Sequence, residues 1–181
     1  MADTITIIVA VIAFVCLAAF YVSWRATRLD RLHARIETAR ASLDAALLRR
    51  CAATSDLATS GALDPAASLL LVDAVQDARL AEGHEQRELA ESNLSQALRA
   101  VYANTVDETG SLAGSTVRVA VQQELLRDVE DASRRVSIAR QFYNDSVAAT
   151  RDARRRQLAR VFNLAGRAEM PAFFEMDDTL R

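Results

Sequence analysis

The stretch from Thr116 to Leu158 contains neither proline nor glycine, and its small and apolar residues recur at three- and four-residue steps. Val129, Ala132, Val136, Ala139, Tyr143, Ser146 and Thr150 follow one 3,4 progression, which aligns them on a single stripe of an α-helix. At 1.5 Å per residue such a helix is roughly 60 Å long. A rod of that length does not bury its stripe alone, so the remainder of the chain must supply a matching groove. The expected class is all-α, a helical bundle.

The N-terminal end carries a second constraint. Ile5 to Trp24 holds no charge and is interrupted only by Thr6 and Ser23, which is the length a helix needs to cross a bilayer. Met1-Ala2-Asp3 lacks the basic start of a secretory signal, and no small-x-small cleavage site follows. Phe14 and Val15 before Cys16 argue against lipoprotein processing. Tyr21 and Trp24 suit an interface, and Arg25, Arg28, Arg31 and Arg35 come next, so the basic flank should stay inside. The expectation is a single-pass signal anchor, with a short outer N-terminus and a cytoplasmic body. A buried core helix is the competing use of this run, and its length disfavours that.

Leu29, Leu32, Ile36, Ala39, Leu43 and Ala46 continue a 3,4 spacing, with no breaker before Gly61. The pattern predicts one helix from about Asp3, its N-cap, to Thr59, half anchor and half bundle stave. Asp64-Pro65 restarts a helix that ends near Gly83. The next runs from about Glu85 to Val106. Asp107 to Ser115 reads as a loop, and Ser115 or Thr116 caps the last helix. The expected divisions are an anchor at 1–24, a bundle at 25–158 and a tail at 159–181.

All 22 basic residues other than the histidines are arginine, which coding bias explains more simply than guanidinium chemistry. Acids dominate from Asp56 to Asp131 and arginines from Ala132 to Arg167, so opposed faces can attract one another within the fold. A slightly acidic chain with few aromatics does not suit nucleic acid. Cys16 in the apolar run and Cys51 on a helix imply no disulfide framework.

No metal or cofactor site is expected, because His33 and His84 lie on different segments and neither has a Cys or acidic ligand set at metal spacing. Glu88 with Glu91, and Glu130 with Asp131, read as surface charge rather than acid–base pairs. No catalytic set of serine, histidine and aspartate is visible, so no enzyme is expected. The distinctive stretch is Ser137 to Asp145, where Tyr143, Asn144 and Asp145 sit in a helix interior that disfavours Asn and Asp. Those residues either fix register against a neighbouring stave or form a polar contact for a partner. Glu130, Arg140, Tyr143, Asn144 and Asp145 are the candidates. Arg151, Arg154, Arg155, Arg156 and Arg160 cluster near the helix end. They complement the macrodipole, pair with the acidic segments, or meet anionic headgroups. Phe173 and Phe174 in the tail either pack back on the body or join Arg154, Arg155 and Arg156 at a membrane surface. If the segments alternate up and down, the last helix returns to the membrane. If the second and third run in line, the arginines end at the far pole.

Several stretches resemble the LemA family of bacterial membrane proteins. Glu91, Leu94, Ser95, Ala97 and Leu98 are similar to its Glu-x-x-Leu-Ser-x-Ala-Leu segment, and Gln122, Glu124 and Leu125 to its Leu-Gln-x-Glu-Leu. Glu130, Ile138, Ala139, Arg140, Tyr143, Asn144, Asp145 and Val147 follow the family's Glu…Ile-Ala-x-Ala-Arg-x-x-Tyr-Asn-Asp-x-Val, less one alanine. Phe173-Phe174-Glu175 resembles its tail, and Leu47, Arg49 and Arg50 its Leu-x-Arg-Arg. The proline after the paired arginines is missing, Thr150-Arg151 replaces a second Tyr-Asn, and Gln157-Leu158 replaces Phe-Pro. The resemblance, to a divergent member, implies an anchored antiparallel up-and-down four-helix bundle. The expected role is a non-enzymatic scaffold that binds membrane lipid and protein partners or copies of itself. The alternative is a lipid or small-ligand sensor that uses the bundle interior.

Overall fold

The computed structural model describes residues 2–108, 116–158 and 170–179; the side chains it describes in the helices are Thr4, 6–21, 31–59, 65–80, 84–104 and 119–155. Four helices lie among them, α1 (Ala2–Thr59), α2 (Pro65–Leu80), α3 (His84–Glu108) and α4 (Thr116–Leu158), with no strand among the described residues. The protein is all-α.

Local signals set the joints. Just past the end of α1, Gly61 has a φ of 68°, the left-handed conformation that glycine adopts without a Cβ penalty. Asp64 then caps α2, its Oδ1 accepting from the amides of Ala66 (2.9 Å) and Ala67 (3.0 Å), with Pro65 in the first turn. Gly83, at φ 86°, makes the second reversal. α3 continues through Glu108, two residues into the expected loop. The rest of that loop, and the side chains of Asp3, Ser115 and Thr116 expected as caps, lie outside the described residues.

α1 packs on α4 along much of their length, and the α2–α3 hairpin covers the upper half of α1. Directions follow from the pairs that meet. Tyr143 of α4 lies by Arg40 and Leu43 of α1, while Leu125 and Asp128 lie by Arg49 and Asp56, so α4 runs antiparallel to α1. Arg87 reaches Asp44 and Glu91 reaches Arg50, so α3 runs parallel to α1. The chain therefore goes up, down, up and down.

Two clusters form the core. The upper one joins all four helices through Leu57, Leu71, Val75, Leu94, Leu98 and Val129. The lower one joins α1 and α4 through Ile36, Leu43, Leu47, Val136, Tyr143 and Val147, and is completed by Phe174 and Met176 from the tail. All seven residues of the 3,4 stripe, Val129 to Thr150, are buried.

Among the described residues no helix is long and apolar enough to cross a membrane. The described side chains at 6–21 are exposed without exception, including Ile8, Val11, Phe14, Leu17 and Phe20 on every side of the helix.

Candidate groove for an extended segment

The most elaborate polar site lies at the seam between α3 and α4. α4 contributes Arg140, Tyr143, Asn144 and Arg151, at spacings that place them on one face; α3 contributes His84, Glu88, Ser92 and Arg99 in the same way. Between the two rows runs the tail, 170–179, outside any helix or sheet. Pro171 removes a helical donor there and biases Met170 away from helical angles. The tail alternates as an extended chain must: Phe174 and Met176 point inward and are buried, while Glu175 and Asp177 face outward.

Helix side chains satisfy the tail's main chain. Asn144 accepts from the Phe174 amide (2.9 Å) and donates to the Phe174 carbonyl (3.1 Å). The Tyr143 hydroxyl donates to the Ala172 carbonyl (3.0 Å), and Arg151 Nε to that of Pro171 (2.9 Å). His84 Nε2 donates to the Phe173 carbonyl at 2.6 Å, since a carbonyl only accepts. Glu88 takes the Glu175 amide and Ser92 Oγ the Asp177 amide (3.1 Å). Burial raises the Tyr143 phenol above its ordinary value, so it remains a donor.

Side-chain recognition is added at both ends. Arg140 grips Asp178 with two nitrogens at 2.9–3.0 Å, a fork geometry suited to carboxylate. Arg99 bonds Asp177 (2.7 Å) and Thr179 (2.8 Å). Hydrogen bonds from Thr179, then Arg99, hold the Asp177 carboxyl down to about 2. At the other end the Arg151 guanidinium lies over the Phe173 ring, 4.4 Å from its centroid, and His84 meets Phe174 edge-on at 5.5 Å.

Three of the five polar candidates, Arg140, Tyr143 and Asn144, therefore gather on the tail. The partner Asn144 needed is not a neighbouring stave but the chain's own extended end. Asp145 is exposed, and Glu130 sits elsewhere, paired with Arg134 at 3.3 Å. Phe174, 4% exposed, packs back on the body, so it is not the lipid-facing residue of the second candidate set. Phe173 is half-buried beneath Arg151. Arg154 reaches the Met170 sulfur (3.5 Å), Arg155 is exposed, and the side chain of Arg156 lies outside the described residues.

A second polar centre went unread in the sequence. Arg50 of α1 crosses the bundle to Glu91 of α3, each residue 1% exposed. Its guanidinium also donates to Ser95 Oγ (2.9 Å) and the Glu91 carbonyl (3.1 Å), while Nε has no partner. Glu91 is thus a buried ion-pair partner, correcting its reading as surface charge. Burial pushes its carboxyl up, more than Arg50 pulls it down. Neighbouring Cys51 is pushed up to about 11, by burial first and then by Glu91.

Two shallow grooves complete the surface, the first adjoining the tail site and the second apart from it. One of about 150 Å³ is bordered by Arg40, Asp44, His84, Arg87, Tyr143 and Phe174. Another of about 380 Å³ lies between α1 and α4, by Arg49, Asp56, Asp128 and Arg135. Among the described residues no three His, Cys, Asp or Glu side chains gather as a metal site needs. No model of a known protein family matches the chain, and comparison with curated proteins gives no match.

Proposed function

We propose that the chain is a membrane-anchored, non-enzymatic interaction protein, with residues 1–24 in the bilayer and the bundle on the cytoplasmic side. One observation carries this reading. α1 is a single helix whose 6–21 portion presents apolar side chains to every side, while its portion from Ile36 onward is a packed stave. A helix apolar all round is stable when apolar surroundings cover it. The Ile5–Trp24 run in the sequence extends beyond the described side chains on both sides, to the length of a span. The arginines that follow Trp24 favour the inner leaflet.

The antiparallel course of α4 directs Arg154, Arg155 and Arg156 toward the apolar end of α1. Contact with anionic headgroups is then within reach, worth about 1 kcal/mol per basic residue near the surface. The kinship with the LemA family belongs to the same proposal, and the residues that suggested it have a physical use here. Arg50, Glu91 and Ser95 form the diagonal centre, and Tyr143, Asn144, Phe173, Phe174 and Glu175 meet in the tail groove. A bundle interior filled in this way suits a scaffold better than a sensor that takes ligands into its core.

Alkaline carbonate extraction of membranes tests the anchor. The full chain should remain in the pellet, and removal of residues 1–24 should release it. Full chain in the washed supernatant would refute the reading.

A further inference from the structure

The α3/α4 seam is built as a peptide-binding site. Its groups project from two continuous helices, which fixes the spacing within each row. Asn144, Tyr143, Arg151, His84, Glu88 and Ser92 address the main chain, and this recognises an extended backbone rather than one particular side chain. Selectivity comes from the inward places of Phe174 and Met176 and from Arg99 and Arg140, which require acids after the aromatic.

We propose that this groove also accepts the 170–179 segment in trans, from a second copy of the chain, so that copies are joined by tail exchange. A second copy supplies the same sequence in the same register, so reciprocal exchange loses no contact. Apart from Phe174 and Met176, the tail is exposed or half-buried, and segments of that kind open at far lower cost than a whole domain. Copies held by α1 in one bilayer present groove and tail at the same height, which raises their local concentration. This last support rests on the anchor proposed above; the groove itself does not.

The test uses two full-length populations, both Cys16→Ala, one carrying Glu85→Cys and the other Glu175→Cys. Position 85 lies one turn before Glu88, and position 175 is the residue whose amide Glu88 holds; both side chains are exposed. The populations carry tags of different size, are co-reconstituted in vesicles and are treated with a short bismaleimide. Tail exchange predicts a mixed covalent dimer that falls to background when Asn144→Leu is added to the Glu85→Cys chain. A single chain with both cysteines should link within itself. Internal linkage with a mixed product no stronger than the Asn144→Leu background would overturn the exchange. Absence of both internal and mixed linkage would overturn the groove as well.

A second measurement does not depend on exchange. A fluorescent peptide covering residues 170–181 should bind the full chain, by displacing its tail, at least tenfold more tightly than it binds the Asn144→Leu chain. Equal binding of a scrambled peptide would overturn the recognition of this segment. Linkage in detergent by a chain that fails carbonate extraction would keep the groove and remove the anchor.

Discussion

Replacing Glu91 and Arg50 singly and together tests whether the bundle tolerates its diagonal ion pair or depends on it. In Glu91→Leu the guanidinium of Arg50 stays buried, with only the Ser95 hydroxyl and the residue-91 carbonyl as partners and Nε already unmatched. Breaking a buried pair in this way costs about 3–5 kcal/mol. At about 2–4 °C per kcal/mol for a chain of this size, the melting temperature should fall by roughly 6–20 °C. Arg50→Met leaves a buried carboxyl, which, unlike a guanidinium, can lose its charge. Its folded-state pKa is already above the ordinary 4.5 and rises further once Arg50 is gone. The penalty is then absent below 4.5 and grows as pH rises through the interval up to the folded-state value. Arg50→Met should therefore regain stability in mild acid, while Glu91→Leu should not. The double variant, apolar on both sides, should lie between neutral and about 4 kcal/mol more stable than the parent. Thermal unfolding of the full chain in detergent, followed by far-UV circular dichroism across pH, reads all three. A Glu91→Leu cost below about 1 kcal/mol, as for a surface pair, together with additive single changes, would refute the reasoning.

Two further outcomes follow from the same chemistry. Cys51, with its thiol pushed up from 9.0 to about 11, should resist thiol reagents at neutral pH until the bundle unfolds. Its contribution to stability is present below 9.0 and is lost as pH rises toward 11; fast labelling with the helices intact would contradict this. Asp177, lowered from 3.8 to about 2, holds the tail above 3.8 and loosens it as pH falls through that interval. Hydrogen exchange at the Phe174 and Asp177 amides should show this loss, and Asp177→Asn should flatten it.

The long helices were legible because a stripe of small and apolar residues at 3,4 spacing leaves few other ways to bury it. Asp64-Pro65, Gly61 and Gly83 marked the joints for equally local reasons. The diagonal pair was missed because a charged residue on an amphipathic helix defaults to the surface. The signal was nonetheless present. Arg50 continues the buried progression of Leu43 and Leu47 toward Thr54 and Leu57, and Glu91 precedes Leu94, Leu98 and Val101 at the same steps. A charge on the buried stripe of each of two helices asks for its opposite across the core. The tail groove was half legible. Tyr143 and Asn144 announced a polar contact, but their partners are main-chain atoms some thirty residues away, and periodicity carries no record of those.

The unbroken course of α1 makes the protein a mast. Residues 2–59 contain neither proline nor glycine, so no hinge separates the apolar half from the half that bears the body. From Trp24 to Thr59 the shaft measures roughly 50 Å at 1.5 Å per residue. With the apolar half held in a bilayer, as proposed above, a lean of about 20° at its foot, common for spanning helices, would swing the top sideways by roughly 18 Å. Bilayer thickness and crowding would then set where the far pole can reach.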